Sequence, residues 1–224
     1  MNEQRPTIAI IGGTGDLGSG LAKRWSLAGY AVVIGSRSRE KAQALAAELG
    51  TVSTPVTGDD NVGAARSGDV VVIAVPFASH EATLLEIRES VKGKIVVDAA
   101  VPLVPPKVSV VQLPAGGSAA QMAQRLLDAE TRVVSAFHNV GARKLHAGYP
   151  VDCDILVFGD DRQARELVIE LAAVIGSRGV DGGVLANSVA AEALTSVLIG
   201  INRRYKIDGA GIRITGLPVA DAGT

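Results

Sequence analysis

Short runs of β-branched residues alternate along this chain with stretches whose apolar residues recur every three or four positions. "TIAIIG" (7–12) has no polar alternation, so it reads as a strand covered on both faces. Asp16 to Gly29 follows with Leu17, Leu21, Ala22, Trp25 and Ala28 on one side of a helix. "YAVVIGS" (30–36) is a second strand, and Arg39 to Leu49 a helix stopped by Gly50. "TVSTPV" (51–56) predicts a short third strand and "DVVVIAVP" (69–76) a buried fourth. A helix over about 79–91 precedes the strand "GKIVVDAA" (93–100). Ser118 caps a helix reaching about Asp128, and "TRVVSAF" (131–137) and "DCDILVFG" (152–159) are further strands. Helices over about 161–176 and 187–206 complete the pattern. Strands alternating with helices call for a mostly parallel sheet with right-handed crossovers, an α/β architecture.

The first strand stops at glycines. Gly13-Thr14-Gly15-Asp16-Leu17-Gly18 is a G-x-G-x-x-G run that opens the first helix. Gly13 permits the tight turn, Gly15 lets a pyrophosphate approach the backbone, and Gly18 lets the helix pack close to the strand. The free N–H groups at the helix start then hold the phosphates. A glycine loop alone is weak evidence, but between a strand and a helix it points to a dinucleotide. The fold expected is therefore Rossmann-type and doubly wound. Residues 1–183 form the NADP-binding domain in this reading, and 184–224 a short C-terminal helical extension that closes the site.

The second strand chooses the dinucleotide. An NAD site usually ends that strand with an acid that bonds the ribose. Here the strand runs into "IGSRSREK", with Ser36, Arg37 and Lys41 in place of an acid. Arginine pairs with a 2′-phosphate through its planar fork of donors, whereas an acid would repel it. Cations at a helix start also oppose the macrodipole, a conflict that a bound phosphate removes. NADP is expected over NAD.

"GGTGDLG", "GSRSREK" and "SAFHNVGA" (135–142), with the closing "GAGIRI" (209–214), resemble the NADPH-dependent reductases of the deazaflavin coenzyme F420. The resemblance runs from about residue 7 to residue 217. It implies that Thr14, Gly15, Asp16 and Leu17 hold the pyrophosphate, and Ser36, Arg37 and Lys41 the 2′-phosphate. It implies that Val75 and Pro76 lie along the adenosine–nicotinamide channel and that Val101 and Ala142 line its nicotinamide end. It also implies that His138, Asn139 and Val140 face F420, with Ala210 near it from the C-terminal segment. Gly141 stands where several family members have proline. The related cytosolic domain of transmembrane ferric reductases shares the early motifs.

Composition narrows the classes left. A net charge of −1 argues against a nucleic-acid or membrane-surface partner. One cysteine, Cys153, excludes an internal disulfide framework and fits a reducing cytosol. Residues 1–7 carry no signal-peptide pattern, and no apolar run is read as nearing transmembrane length. The expectation is a soluble cytoplasmic protein with small-molecule cofactors as partners, forming a homodimer or higher homo-oligomer. His80, His138 and His146 are scattered, so no metal site is expected. No catalytic side chain is needed either, since hydride passes directly between two organic cofactors that the protein orients. His138, just past a buried strand, is assigned to orienting the deazaflavin. His80 is placed at a helix start and His146 in a loop. Cys153 and Trp25 are read as core, and Asp152 and Asp154 as strand-edge charges. The proline- and glycine-rich stretch 99–117 is either a functional flap or a rigid linker. The alternatives in function are an NADPH-dependent imine or ketone reductase and a non-catalytic NADP-sensing regulator.

Overall fold

A computed structural model describes residues 5–50, 54–148 and 151–217. Among these, the strands are β1 (Ile8–Ile11), β2 (Val32–Ser36), β3 (Val56–Asp60), β4 (Val70–Ile73), β5 (Ile95–Asp98), β6 (Arg132–Ser135), β7 (Asp154–Gly159) and β8 (Arg178–Gly183). They form one sheet in the order β3-β2-β1-β4-β5-β6-β7-β8. Neighbouring strands are parallel except at β6–β7. The sheet is thus the mostly parallel, doubly wound one expected, and its strand order reverses between β1 and β4. In such sheets ligands bind at the carboxyl edge beside that reversal.

Alternate residues of each central strand feed different cores. Ile8 and Ile10 pack with Leu21, Trp25 and Leu171, while Ala9 and Ile11 pack with Ala64, Leu84 and Ile87 on the other face. The first layer comes from α1 (Asp16–Leu27), α2 (Arg39–Leu49) and α7 (Arg162–Val174), and the second from α3 (Asn61–Ser67), α4 (Phe77–Ile87) and α5 (Ala119–Leu126). Trp25 is fully buried, edge-on to Phe137, and its indole N–H donates to the Leu171 carbonyl at 3.0 Å. Cys153 is buried in the same core, as its sequence context suggested.

Several elements depart from the sequence reading. The third strand starts at Val56 rather than filling 51–56, of which 51–53 lie outside the described residues. β3 carries "VTGDD", whose polar outer half hides its strand character, and α3, only seven residues long, follows it directly. β8, "RGVDGG", holds three glycines and gives no apolar run. His146 ends a short helix, α6 (Ala142–His146), instead of lying in a loop. Arg24 donates to the Leu145 and Lys144 carbonyls at 2.7 and 3.0 Å, satisfying the end of that helix. His80 lies within α4 rather than at its start and is buried.

Asp154 is the sharpest correction. It is not an edge charge but is 0 % exposed, gripped by Arg178 at 2.6 and 3.0 Å. Its carboxylate also accepts from the Ile214 N–H at 2.6 Å, while its backbone N–H donates to the Ile212 carbonyl. The segment 210–214 is thereby stapled to the start of β7. Asp152 does face solvent, paired with Arg213.

The last helix, α8 (Ser188–Tyr205), also revises an expectation. With the turn before it, Leu185–Tyr205 spans 21 residues and holds an apolar 18-residue stretch of mean hydropathy 1.3, enough by length and composition to cross a membrane. A third of that stretch (33 %) is buried against the rest of the protein.

Candidate cofactor site

A cleft of about 320 Å³ opens at the carboxyl edge, where β1, β2 and β4 end. Gly12, Thr14 and Gly15 form one wall, Ser36, Arg37, Ser38 and Lys41 another, and Asn61, Ala74, Val75, Pro76, Ser79 and Thr83 the rest.

The glycine wall is tight behind and open in front. Gly12 adopts φ +79°, the left-handed backbone that turns the chain out of β1, so the turn rests on the residue before Gly13. A side chain at Gly13 would meet the Ile10 carbonyl at 2.8 Å, and one at Gly18 would meet the Gly12 carbonyl and Gly13 Cα at 2.7 Å. Both glycines are buried and serve packing. At Gly15 a Cβ meets only the Gly12 carbonyl, at 3.4 Å, so nothing of the protein fills the space above it. Gly15 is the N-cap of α1 and supplies no side-chain cap. The first-turn N–H groups of Asp16, Leu17 and Gly18 lack the carbonyl four residues back that would satisfy them inside the helix. An anion above Gly15 would meet those groups and the positive end of the helix dipole.

The opposite wall sorts its cations. Arg39 is bound to Asp59 and Asp60, each at 2.6 Å, and those partners hold its pKa above the ordinary arginine value, the Asp60 hydrogen bond most. Among the described residues, the side chains of Arg37 and Lys41 have no such partner, and both line the cleft. Ser38 caps α2, accepting from the Lys41 N–H at 3.3 Å, and Ser36 Oγ accepts from the Ser38 N–H at 3.3 Å. This wall fits a phosphate beside a ribose: two exposed cations on a backbone fixed by serine hydroxyls. The glycine and cation walls therefore fit the two phosphate stations of NADP.

The other expected residues lie apart from this cleft. Asp16 and Leu17 sit at the start of α1, just behind it. Val101 follows β5, Ala142 opens α6, and Ala210 is held by the Asn202 side chain, which accepts its N–H at 2.8 Å. His138, Asn139 and Val140 are buried beyond β6. The Asn139 side-chain N–H donates to the Asp154 carbonyl at 2.8 Å, so that amide is engaged within the fold. Phe137, just before them, takes φ +69°, a costly conformation for a non-glycine residue, held by the packing of its ring on Trp25. His138 Nε2 lies 3.2 Å from Ser135 Oγ, and its Nδ1 has no partner among the described residues. Burial drives the His138 pKa down to about 4 against the weaker pull of Asp98, so the ring is neutral at physiological pH.

Sequence reasoning missed Gly12, Ser38, Asn61, Ala74, Ser79 and Thr83. Gly12 was legible, as the first of the two glycines that end β1. Asn61, Ser79 and Thr83 carry no local motif and reach the cleft only through the sheet order.

Residues 7–102 match the family model described as NADP oxidoreductase, coenzyme F420-dependent. The chain is 43% identical over 223 residues to the F420-dependent NADP reductase of Methanocaldococcus jannaschii, covering 95% of this chain and 99% of that protein. The chain belongs to the F420-dependent NADP reductases. The reductase of Methanothermobacter thermautotrophicus strain Delta H is likewise 43% identical, over 94% of this chain and 95% of its own length. In fold, an Arthrobacter sp. FB24 chain crystallised as a candidate F420-dependent NADP reductase superposes with a TM-score of 0.78. It is 24% identical, covering 94% of this chain and all of that one, and so speaks for the fold alone. The F420-dependent NADP reductase family fixes the reaction class, and the cleft fits its nucleotide.

Proposed function

We propose that this chain moves hydride reversibly between NADP(H) and coenzyme F420. The observation that carries the reading, in a chain of this family, is one cleft that pairs a bare glycine wall with two cations unpartnered among the described residues. Thr14, Gly15 and the first-turn N–H groups of Asp16 and Leu17 receive the pyrophosphate, with Gly13 and Gly18 shaping the turn behind them. Ser36, Arg37 and Lys41 receive the 2′-phosphate. Val75 and Pro76 guide the dinucleotide toward β5, where Val101 and Ala142 border the nicotinamide. His138, Asn139, Val140 and Ala210 form the F420 side. The bound cofactors supply the carbon that gives hydride and the carbon that takes it. The protein binds, orients and keeps water out, and no side chain has to act as acid or base on the hydride itself.

In this reading residues 1–183 hold NADP, and the segment from 184, with α8, closes the F420 side. The protein works in the cytoplasm as a homodimer, for which the exposed apolar residues Val184 and Val197 offer surface. Mixing the purified protein with NADPH and F420 tests the reaction directly. The deazaflavin absorbance should fall with NADPH and barely change with NADH. No change with either nucleotide would sink the reading.

A further inference from the structure

α8 presents three polar residues, Ser188, Glu192 and Thr195, at helical spacing on one face; the first two hold the start of α5 and the third the segment after β6. The Ser188 hydroxyl donates to Ser118 Oγ at 2.7 Å. The Glu192 carboxylate accepts the backbone N–H groups of Ala119 at 2.6 Å and Ala120 at 3.1 Å, the first two residues of α5. Thr195 donates to the His138 carbonyl at 3.0 Å. Glu192 is 1 % exposed, and no cation pairs with it among the described residues. A buried carboxylate without a counter-ion is costly, so what it does must be sought in what it holds.

It holds the far end of 99–117. That stretch leaves β5 at Asp98, whose carboxylate accepts the Ala100 N–H at 2.9 Å and lies 2.6 Å from His80 Nε2. It ends at Ser118, the cap of α5, where Glu192 and Ser188 grip it. The two anchors are electrically joined. Around Glu192 and Asp98 the titratable groups are His80 and Glu81 of α4 and His138 beyond β6.

We propose that Glu192 is a positioning residue for the reaction: it clamps 99–117 and α8 together over the β5–β6 end of the sheet, and so sets the F420 side of the site. This rests on the reading that F420 binds on that side. The carboxylate form can accept both N–H groups, one on each oxygen. The acid form turns one oxygen into a hydroxyl, a donor and a poorer acceptor, and so weakens one of the two bonds. Burial raises the Glu192 pKa to about 7 against the two N–H bonds, so the clamp changes strength across the neutral range.

The test compares the wild type with Glu192→Gln, a neutral mimic of the acid form, at pH 6 and pH 8. The KM for F420 in the variant should exceed that of the wild type by about two- to tenfold at pH 8 and match it at pH 6. The kcat and the KM for NADPH should stay within about twofold of the wild type. Titration of F420 itself affects both enzymes and cancels in the ratio. A second readout needs no substrate. Tryptic cleavage after exposed Lys107 should be faster in the variant than in the wild type at pH 8, and equal at pH 6. Ratios of one at pH 8 in both assays overturn the proposal. If the wild type does not turn over F420, the functional reading fails, and the cleavage ratio alone decides the clamp. Should Glu192→Gln not fold, Glu192→Asp keeps the charge on an arm too short for both N–H groups. It should cleave faster than the wild type at pH 8, and equal rates would overturn the clamp.

Discussion

Where β1 and β2 end, the carboxyl edge of the sheet offers bare backbone at Gly15 and two cations, Arg37 and Lys41, without partners among the described residues. Where β5 and β6 end and β7 begins, the polar side chains are buried and most are bonded to one another: His80 to Asp98, Asp154 to Arg178, Asn139 to the Asp154 carbonyl. The first region keeps its bonding capacity for a charged ligand. The second has spent most of its own on holding distant segments in place, and presents shape instead. A nucleotide with several charges suits the former. A flat, largely uncharged ring system that must lie at a set distance suits the latter.

The comparison predicts that damage to the second region shows first as lost stability. Asp154→Asn should cost about 3 kcal/mol at pH 7, near the low end for breaking a buried pair, since Arg178 keeps its bond to the Ile214 carbonyl. Burial works to raise the Asp154 pKa, but the Arg178 bond and charge and the Ile214 N–H leave it lowered. The stabilisation is therefore present above the ordinary aspartate pKa and lost as pH falls through the lowered one. Denaturant melts should show a gap between variant and wild type at pH 7 that closes in strong acid, with NADPH affinity of the folded fraction unchanged. An equal loss of NADPH affinity would erase the distinction between the regions.

That contrast also explains what the sequence disclosed. The glycine and cation walls come from one continuous stretch, residues 12–41, so local spacing revealed them. The second region is assembled from residues near 80, 98, 138, 154, 178 and 192, which no local pattern joins. Asp154 looked like an edge charge because its partner lies 24 residues away, on a strand, β8, that has no apolar run. The strands with β-branched runs were legible. β3 and β8 were misplaced or missed because glycine and aspartate carry no strand signal. The resemblance to a family reached His138 and Asn139, but not the burial that occupies the Asn139 amide.

In the first region, damage should spare the fold. Gly15→Val places a branched side chain in the open space above the loop, where its Cβ meets only the Gly12 carbonyl. NADPH affinity should fall on the order of a hundredfold or more, about 3 kcal/mol, with the melting temperature nearly unchanged. Gly18→Ala is the matched control: its Cβ would lie 2.7 Å from two backbone atoms, so it should lower stability by about 1–3 kcal/mol instead. Calorimetric melts with and without NADPH separate the two. Normal NADPH binding by Gly15→Val would remove the glycine wall from the site.

The cation wall sharpens the same point at smaller scale. Arg37→Ala should weaken NADPH binding by about 1.5–3 kcal/mol, roughly ten- to a hundredfold, and leave NADH binding almost untouched. Arg39→Ala, two residues along, removes a guanidinium already committed to Asp59 and Asp60, and should change the NADPH/NADH ratio far less. Titrations of both nucleotides against both variants would read this. Equal effects of the two substitutions would mean that the cleft does not distinguish a paired from an unpaired arginine.

The smallest effect is expected at His138, and it probes whether the second region touches F420 there. Its Nε2 is near Ser135, its carbonyl is held by Thr195, and its Nδ1 is left without a partner among the described residues. With its pKa lowered to about 4 the ring is neutral at physiological pH, so it can offer F420 only a neutral hydrogen bond. His138→Ala should raise the KM for F420 by about two- to tenfold, the worth of 0.5–1.5 kcal/mol, and leave NADPH affinity in place. An obligatory acid–base catalyst would instead lose about a hundredfold or more in turnover. The same low pKa gives a separate check on stability. Between pH 6.5 and 4 the unfolded chain binds a proton here that the folded one refuses, so this residue's stabilisation is present above 6.5 and lost as pH falls through that window. His138→Ala should therefore flatten the acid limb of the stability curve while shifting the F420 KM. A change in turnover without a change in KM would move His138 from the binding side of the site to its chemistry.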